Sequence, residues 1–382
     1  MNWAVPIPIN RSKAEIGAVQ TTIREKKLKV WAVIMAGGSG TRFWPESRKH
    51  FAKQYLNLFG SKTLLEQTFH RINKIVPASQ ILVFTSQEKA GYAAKLLDIS
   101  RSQVIGEPVG RNTAPCAAWA AALILKKDPS AVLGIFPADH YIQDEKTFVK
   151  ALRVAYDQAD QEGMPVTLGI KPECPHTGYG YLEMGKKKAS AQGIQVFHLE
   201  RFCEKPGIAA AKKYCRSGKF LWNAGIFIWR ADCLLEATRR YLPAVFKPIV
   251  KIAAGEVPAN RLKQIFQKVP SISIDYGLME KLSGGILTIP VSMGWNDAGS
   301  WAMLKNLLPM DAQGNVAFGN TLLVESSGNI VKSGGRLIAT VGLKDHVVVD
   351  TNDVVLVCPV EQAESIRKIV LALQKKNQHC YL

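Results

Sequence analysis

The sequence has no C-x-x-C pair among its seven cysteines and no H-E-x-x-H arrangement among its seven histidines. An odd number of thiols, at positions 116, 174, 203, 215, 233, 358 and 380, suits neither a zinc site nor a disulfide framework. Transition-metal chemistry is therefore not expected, and the thiols read as reduced and incidental. No apolar run approaches the roughly 20 residues of a membrane span. The longest candidate, Ala114 to Leu125, is alanine-rich and stopped by Lys126, Lys127 and Asp128. The first 29 residues hold no apolar stretch of signal-peptide length. The expectations are no membrane partner and a cytoplasmic location.

Acidic side chains are the scarcer charge, 31 against 49 basic ones, for a net +18. Basic segments interleaved with aromatics are absent, so the excess does not form the footprint of a nucleic-acid binder. Residues 1–29 carry +4 and residues 311–382 are neutral, leaving +14 between residues 30 and 310. A diffuse positive field there attracts small anions, phosphorylated substrates included, and no nucleic acid is expected as a partner.

What is present is a chain of 382 residues, 47% apolar and 21% charged, able to bury a sizeable core. At about 150 residues per domain, one large domain and a small one are expected. Residues 1–29 read as an extension, with a short helix over 15–27. From Val30, apolar runs of strand length (Val30–Met35, Ile81–Thr85, Val132–Phe136) alternate with amphipathic or buried helices (Thr63–Ile75, Ala114–Lys127). This rhythm predicts an α/β domain over residues 30–310, its sheet mixed and mostly parallel and covered on both faces. Past residue 310, short β runs (322–325, 336–341, 347–349, 354–357) separated by Gly, Asn and Asp predict a small β domain over 311–382. A terminal helix over 361–374 closes it.

The chemistry begins after the first strand, at Ala36, Gly37, Gly38, Ser39, Gly40 and Thr41. Glycines there let the backbone approach phosphates and offer them N–H groups. The dinucleotide pattern G-x-G-x-x-G fails at Phe43, and Gly60–Thr63 lacks the glycines of a Walker loop. The glycines alone are equally a turn cluster. The full run Gly37–Arg48 (GGSGTRFWPESR), followed by Lys53 and Gln54, resembles the signature of the sugar-1-phosphate nucleotidyltransferases. Its W-P-x-S-R portion resembles the mannose-1-phosphate guanylyltransferase branch. Further motifs fit in the same order: 106–115 (GEPVGRNTAP), 136–140 (FPADH), 177–183 (TGYGYLE), 202–206 (FCEKP), 222–227 (WNAGIF), 273–276 (SIDY) and 294–301 (GWNDAGSW).

The resemblance implies a Rossmann-like nucleotidyltransferase domain with a left-handed β-helix-like tail. It implies GTP and α-D-mannose 1-phosphate as substrates, GDP-mannose and pyrophosphate as products, and Mg²⁺ as cofactor. A sibling enzyme using another sugar, such as a heptose, or another nucleotide is the alternative. Members join a nucleoside triphosphate to a sugar 1-phosphate, so two polyanions must be brought together, and catalysis is mostly positioning and charge neutralisation. By resemblance, Arg42 neutralises the leaving pyrophosphate, its planar fork matching phosphate oxygens. Lys53 is the second cation, and Asp139 and Asp297 hold Mg²⁺, whose preference is for oxygen ligands shared with phosphate. Glu107, Asn112 and Thr113 belong to the nucleotide side, where Thr113 is also a natural N-cap for the helix that follows. Gly180, Glu183, Glu204 and Asn223 are assigned to the sugar and Lys205 to its phosphate. The pair Glu204 and Lys205 is equally the pattern of an exposed ion pair, and Tyr179, Trp222 and Trp295 could wall the sugar or simply pack. His140 reads as packing beside Asp139.

One departure stands out: Ala52 replaces the proline usual before Lys-Gln, which predicts a looser loop around Lys53. Longer family members carry a fused phosphomannose isomerase domain. With only the small β domain after residue 310, the transferase activity alone is expected. That domain is expected to pack on the catalytic domain or to mediate a homodimer.

Overall fold

The computed structural model describes residues 29–38, 40–282 and 284–382. The helix expected over 15–27, and Ser39, lie outside the described residues. Ten strands precede residue 291: β1 (Val30–Met35), β2 (Ile81–Ser86), β3 (Val104–Glu107), β4 (Val132–Pro137), the two-residue β5 (Tyr141–Ile142), β6 (Val166–Ile170), β7 (Tyr181–Ala191), β8 (Ile194–Cys203), β9 (Phe220–Arg230) and β10 (Leu287–Pro290). All but β5 form one sheet in the order β3-β2-β1-β4-β9-β6-β10-β8-β7. Seven of its strands point one way, and β8 and β9 oppose them. The sheet is therefore mixed and largely parallel.

Strand alternation divides its side chains between two cores. Ala32 and Ile34 face the helices α1 (Leu64–Asn73), α2 (Ala90–Leu97) and α4 (Glu145–Glu162). Trp31 and Val33 face α3 (Thr113–Lys127), with the helices over 231–241 and 243–254 stacked behind it. Being covered by sheet on one side and helices on the other, α3 is apolar nearly all round, which is why it reads as a buried run of alanines. The first turn of α1 is fixed by a reciprocal capping box between Thr63 and Glu66.

Two pairings decide where the chemistry sits. Strands β1 and β4 are parallel neighbours with Met35 opposite Pro137, so the glycine loop and Asp139 leave the same sheet edge side by side. Such carboxyl edges are where open α/β sheets bind ligands. Then β11 (Trp295–Asn296) pairs antiparallel with β5, with Asn296 opposite Tyr141, which carries Asp297 back to Asp139.

Beyond residue 310 the chain winds into a short β-helix. Strands β12 (Val316–Phe318), β14 (Ile330–Lys332) and β16 (His346–Asp350) stack in parallel, as do β13 (Thr321–Val324) and β15 (Ile338–Val341); β17 (Val355–Pro359) returns antiparallel to β16. Buried Asn315 and Asn329 hold successive coils together. Asn315 Oδ1 accepts from Asn329 N (2.9 Å) and Nδ2 (3.0 Å), and Asn329 Oδ1 accepts from His346 N (2.9 Å). Asn329→Ala would strand the His346 N–H and remove two side-chain bonds between coils, so an equilibrium urea titration should show a loss of about 2 kcal/mol. The terminal helix differs from expectation: residues 360–365 form a 3₁₀ turn, and the α-helix covers only Ile366–Lys375.

Candidate active site

Backbone geometry brings the first two cations together. Gly40 has φ 57°, and a Cβ there would lie 2.5 Å from Lys53 Cβ and 2.6 Å from Lys53 N. Only a glycine lets the loop lie against the lysine backbone so closely. Gln54, buried beneath the loop, donates to the carbonyls of Ala36 (2.6 Å) and Gly38 (3.3 Å) and so fixes its floor. Gly37 and Gly38 remain exposed above, and Arg42 is exposed at the loop's far end. The looseness expected from Ala52 is not seen. Ala52 has φ −75°, the value a proline would impose, and Lys53 is only 4% exposed.

Lys53 is the hub. Its Nζ donates to Asp139 Oδ2 (2.9 Å) and to the Asp297 carbonyl (2.5 Å). Burial would raise the Asp139 carboxyl, but Lys53, by its charge and its hydrogen bond, outweighs it and holds the group below its ordinary value. Asp297 Oδ1 accepts from the Tyr179 hydroxyl (2.7 Å). A Cβ on Gly299 would meet Asp297 Oδ2 at 3.0 Å and Arg42 Nη1 at 3.1 Å, so the arginine and this aspartate converge there. Arg42, Lys53, Asp139 and Asp297, separated by up to 255 positions in sequence, thus surround one point at the sheet edge. His140 packs as expected: Trp295 Nε1 donates to its Nδ1 (3.2 Å), which leaves the ring neutral, and burial lowers its pKa further.

On one flank of this point lies a polar cradle. A Cβ on Gly180 would come within 2.6 Å of Glu204 Oε2 and 3.4 Å of Asn223 Cβ, so the glycine keeps the space between them open. Glu204 is paired with Lys205. Asn223 accepts from Thr167 Oγ1 (3.1 Å) and Gly225 N (3.1 Å) and donates to Asp275 Oδ1 (3.1 Å). Burial, then the nearby Glu204 charge, pushes the Asp275 carboxyl up to about 6. Tyr179 stacks on His176 (3.9 Å) and meets Trp222 and Trp295 edge-on at 5.1 and 5.4 Å, forming an aromatic wall between cradle and cluster.

The other flank is formed by Glu107, at the end of β3. It is 8% exposed, its Oε1 has no hydrogen-bond partner, and its Oε2 would lie 3.4 Å from a Cβ on Gly37. Burial pushes this carboxyl up to about 7.

The sequence model of the nucleotidyl transferase family matches residues 31–313, about three quarters of the chain. The chain belongs to this family. Its remaining part, residues 319–373, matches the mannose phosphate isomerase/GMP-like β-helix domain. The xanthan biosynthesis protein XanB of Xanthomonas campestris pv. campestris is 39% identical over 91% of this chain and 74% of its own length. A mannose-1-phosphate guanylyltransferase of Escherichia coli K12 is 35% identical over 92% of this chain and 75% of its own. A solved structure from Thermus thermophilus, described as a mannose-1-phosphate geranyltransferase, superposes with a TM-score of 0.82 at 33% identity. It covers 91% of this chain and 100% of that one.

With the family established, the expected site residues divide by position. The glycine loop, Arg42, Lys53, Asp139 and Asp297 share one cluster, and Gly180, Glu204, Lys205 and Asn223 share the cradle. Glu183 has another partner: it lies opposite Arg201 in the β7–β8 ladder and bonds it at 3.0 Å, a cross-strand ion pair. Asn112, not Thr113, caps α3, accepting from Thr113 N (2.9 Å). Thr113 Oγ1 instead accepts from Ile274 N (2.8 Å), and so ties α3 to the turn that carries Asp275. Sequence reasoning assigned no role to Gln54 or Asp275, and for Tyr179 offered walling the sugar or packing but not its bond to Asp297. All three stand inside stretches that matched the family pattern, which was the available signal.

Among the described residues no helix is long and apolar enough to cross a membrane, and no three His, Cys, Asp or Glu side chains cluster as a metal site. Two carboxylates at one point are a set that fits a magnesium ion sharing phosphate oxygens, since that ion keeps few protein ligands.

Proposed function

We propose that this protein joins GTP and α-D-mannose 1-phosphate to give GDP-mannose and pyrophosphate. The observation that carries the reading is the convergence of Arg42, Lys53, Asp139 and Asp297 between an open glycine loop and a polar cradle. A phosphate oxygen of the sugar phosphate attacks the α-phosphorus; the new P–O bond forms as the α–β bridge breaks and pyrophosphate leaves. The loop N–H groups and Arg42 hold the β- and γ-phosphates, so that negative charge accumulating on the leaving group meets a fixed cation. Lys53, already buried and pinned, neutralises the reacting phosphates without reorganising. Glu204 and Asp275 offer acceptors to sugar hydroxyls, Asn223 the second N–H of its amide, and Lys205 its charge to the sugar's phosphate. Mg²⁺, held by Asp139 and Asp297, would supply further neutralisation of the α-phosphate. The choice of guanine and mannose is supported by the names of the relatives and by Glu107, whose unpartnered carboxylate suits the adjacent N1–H and N2–H donors of guanine.

Purified protein is expected to release pyrophosphate from GTP only when mannose 1-phosphate and Mg²⁺ are both present. A panel of four nucleoside triphosphates against mannose, glucose and heptose 1-phosphates checks the specificity. Preference for another pair would assign the protein to a sibling reaction, and no turnover with any pair would end the reading.

A further inference from the structure

Half of the signature after the glycine loop takes no part in this chemistry. Within residues 44–48 (WPESR), Trp44, Glu46 and Arg48 grip the β-helix domain. Trp44 Nε1 donates to the Tyr381 carbonyl (2.7 Å), beyond the terminal helix. Glu46 pairs with Lys332 of β14 (3.0 Å), both side chains being less than one-fifth exposed. Arg48 forks onto Asp353, in the turn between β16 and β17, at 2.7 and 3.2 Å, while its Nε donates back to the Pro45 carbonyl (2.6 Å). Ser47 instead faces inward, its Oγ donating to the Gly40 carbonyl (2.6 Å), which closes the loop that carries Arg42. Phe43 and Trp44 share one apolar core with β12, β14, β16 and the terminal helix.

We propose that the β-helix domain is a positioning element of the active site: by clamping Trp44, Glu46 and Arg48 it sets the loop from Gly40 to Ser47, and with it Arg42, for the nucleoside triphosphate. The clamp rests on the reading of the glycine loop as the triphosphate site. Arg48 and Asp353 are positioning residues that touch no reacting atom, and their effect passes through the backbone of residues 40–47. A single exposed ion pair stabilises little. Here the pairs are joined by a tryptophan hydrogen bond and a shared core, so what they fix is the loop's geometry rather than the fold's stability.

The test compares Asp353→Ala and Lys332→Ala with Asp353→Glu, which keeps the charge. Each alanine variant is expected to raise the KM for GTP about fivefold and to leave the KM for mannose 1-phosphate within twofold. Hydrogen exchange at amides 40–48 should quicken about tenfold without an equal change elsewhere, and Asp353→Glu should keep wild-type values within twofold. Unchanged exchange in residues 40–48 would overturn the clamp. So would an equal rise in both KM values accompanied by lower thermal stability, since that pattern belongs to general loosening. If the wild type transfers no nucleotidyl group, the functional reading falls and takes the catalytic half of the proposal with it. The exchange measurement, which needs no turnover, still decides whether the clamp exists.

Discussion

Lys53→Met is expected to lower kcat by about 10³ with little change in the melting temperature. Methionine preserves the length and most of the volume of the stem but removes the ammonium that donates to Asp139 and to the Asp297 carbonyl. Two effects then act together. The reacting phosphates lose a buried cation, and the Asp139 carboxylate loses the neighbour that offsets its burial, so its pKa rises. The fold should lose little, because methionine needs no partner at this buried position and the Asp139 side chain, 39% exposed, keeps water when the ammonium is gone. Steady-state kinetics and a thermal scan on the same sample separate the two. A kcat within tenfold of wild type would show that Lys53 is a structural strut.

Glu107→Gln is expected to lower kcat/KM for GTP about 10²-fold while affecting ATP far less, since only guanine sets two adjacent donors against a carboxylate. The same substitution should stabilise the ligand-free protein. The carboxyl is pushed up to about 7 by burial, so the folded state favours its neutral form. Its contribution is harmless below the ordinary carboxylate range, becomes destabilising as pH rises from about 4.5 to about 7, and levels off above that at about 3 kcal/mol. Above pH 7, denaturant unfolding of Glu107→Gln should therefore show greater stability than wild type, and near pH 4 the two should coincide. In the wild type the KM for GTP should climb as pH falls below 7, because protonation removes the acceptor. In the variant that dependence should vanish. A variant that is no more stable at pH 8 would mean that the carboxylate has a partner in solution.

The parts of this molecule that read easily from sequence are those whose physics is local. Strands β1, β2 and β4 are buried on both faces and appear as continuous apolar runs, and the glycine loop, Lys53, Asp139 and Asp297 lie in short motifs with unusual composition. The three-residue strands β12 and β14 were not legible, because a strand that short carries no periodicity of its own. Their signal is a repeat instead, Asn315 and Asn329 preceding each at a fixed interval of one coil. The capping role given to Thr113 fell to its neighbour for a similar reason: adjacent polar residues can both cap, and only the tertiary partner Ile274 decides between them. Asp275 escaped assignment, and the bond of Tyr179 to Asp297 was not foreseen, because their partners lie 52 and 118 positions away. A tyrosine beside glycines is an ordinary packing residue until the aspartate it holds is brought to it.

The placement of β10 has a consequence for how the chain is made. This four-residue strand, Leu287–Pro290, is the bridge between β6 and the β7–β8 hairpin, all of which emerge from the ribosome at least 80 residues earlier. Until it arrives, β6 and β8 each have a row of unpaired backbone groups facing a gap one strand wide. Closing that gap requires a long chain excursion to return between two strands already formed, an entropically slow step that leaves sheet edges open in the interval. The nascent chain is thus most vulnerable to edge-to-edge association after β8 and before residue 290, and a shield is needed most in that interval.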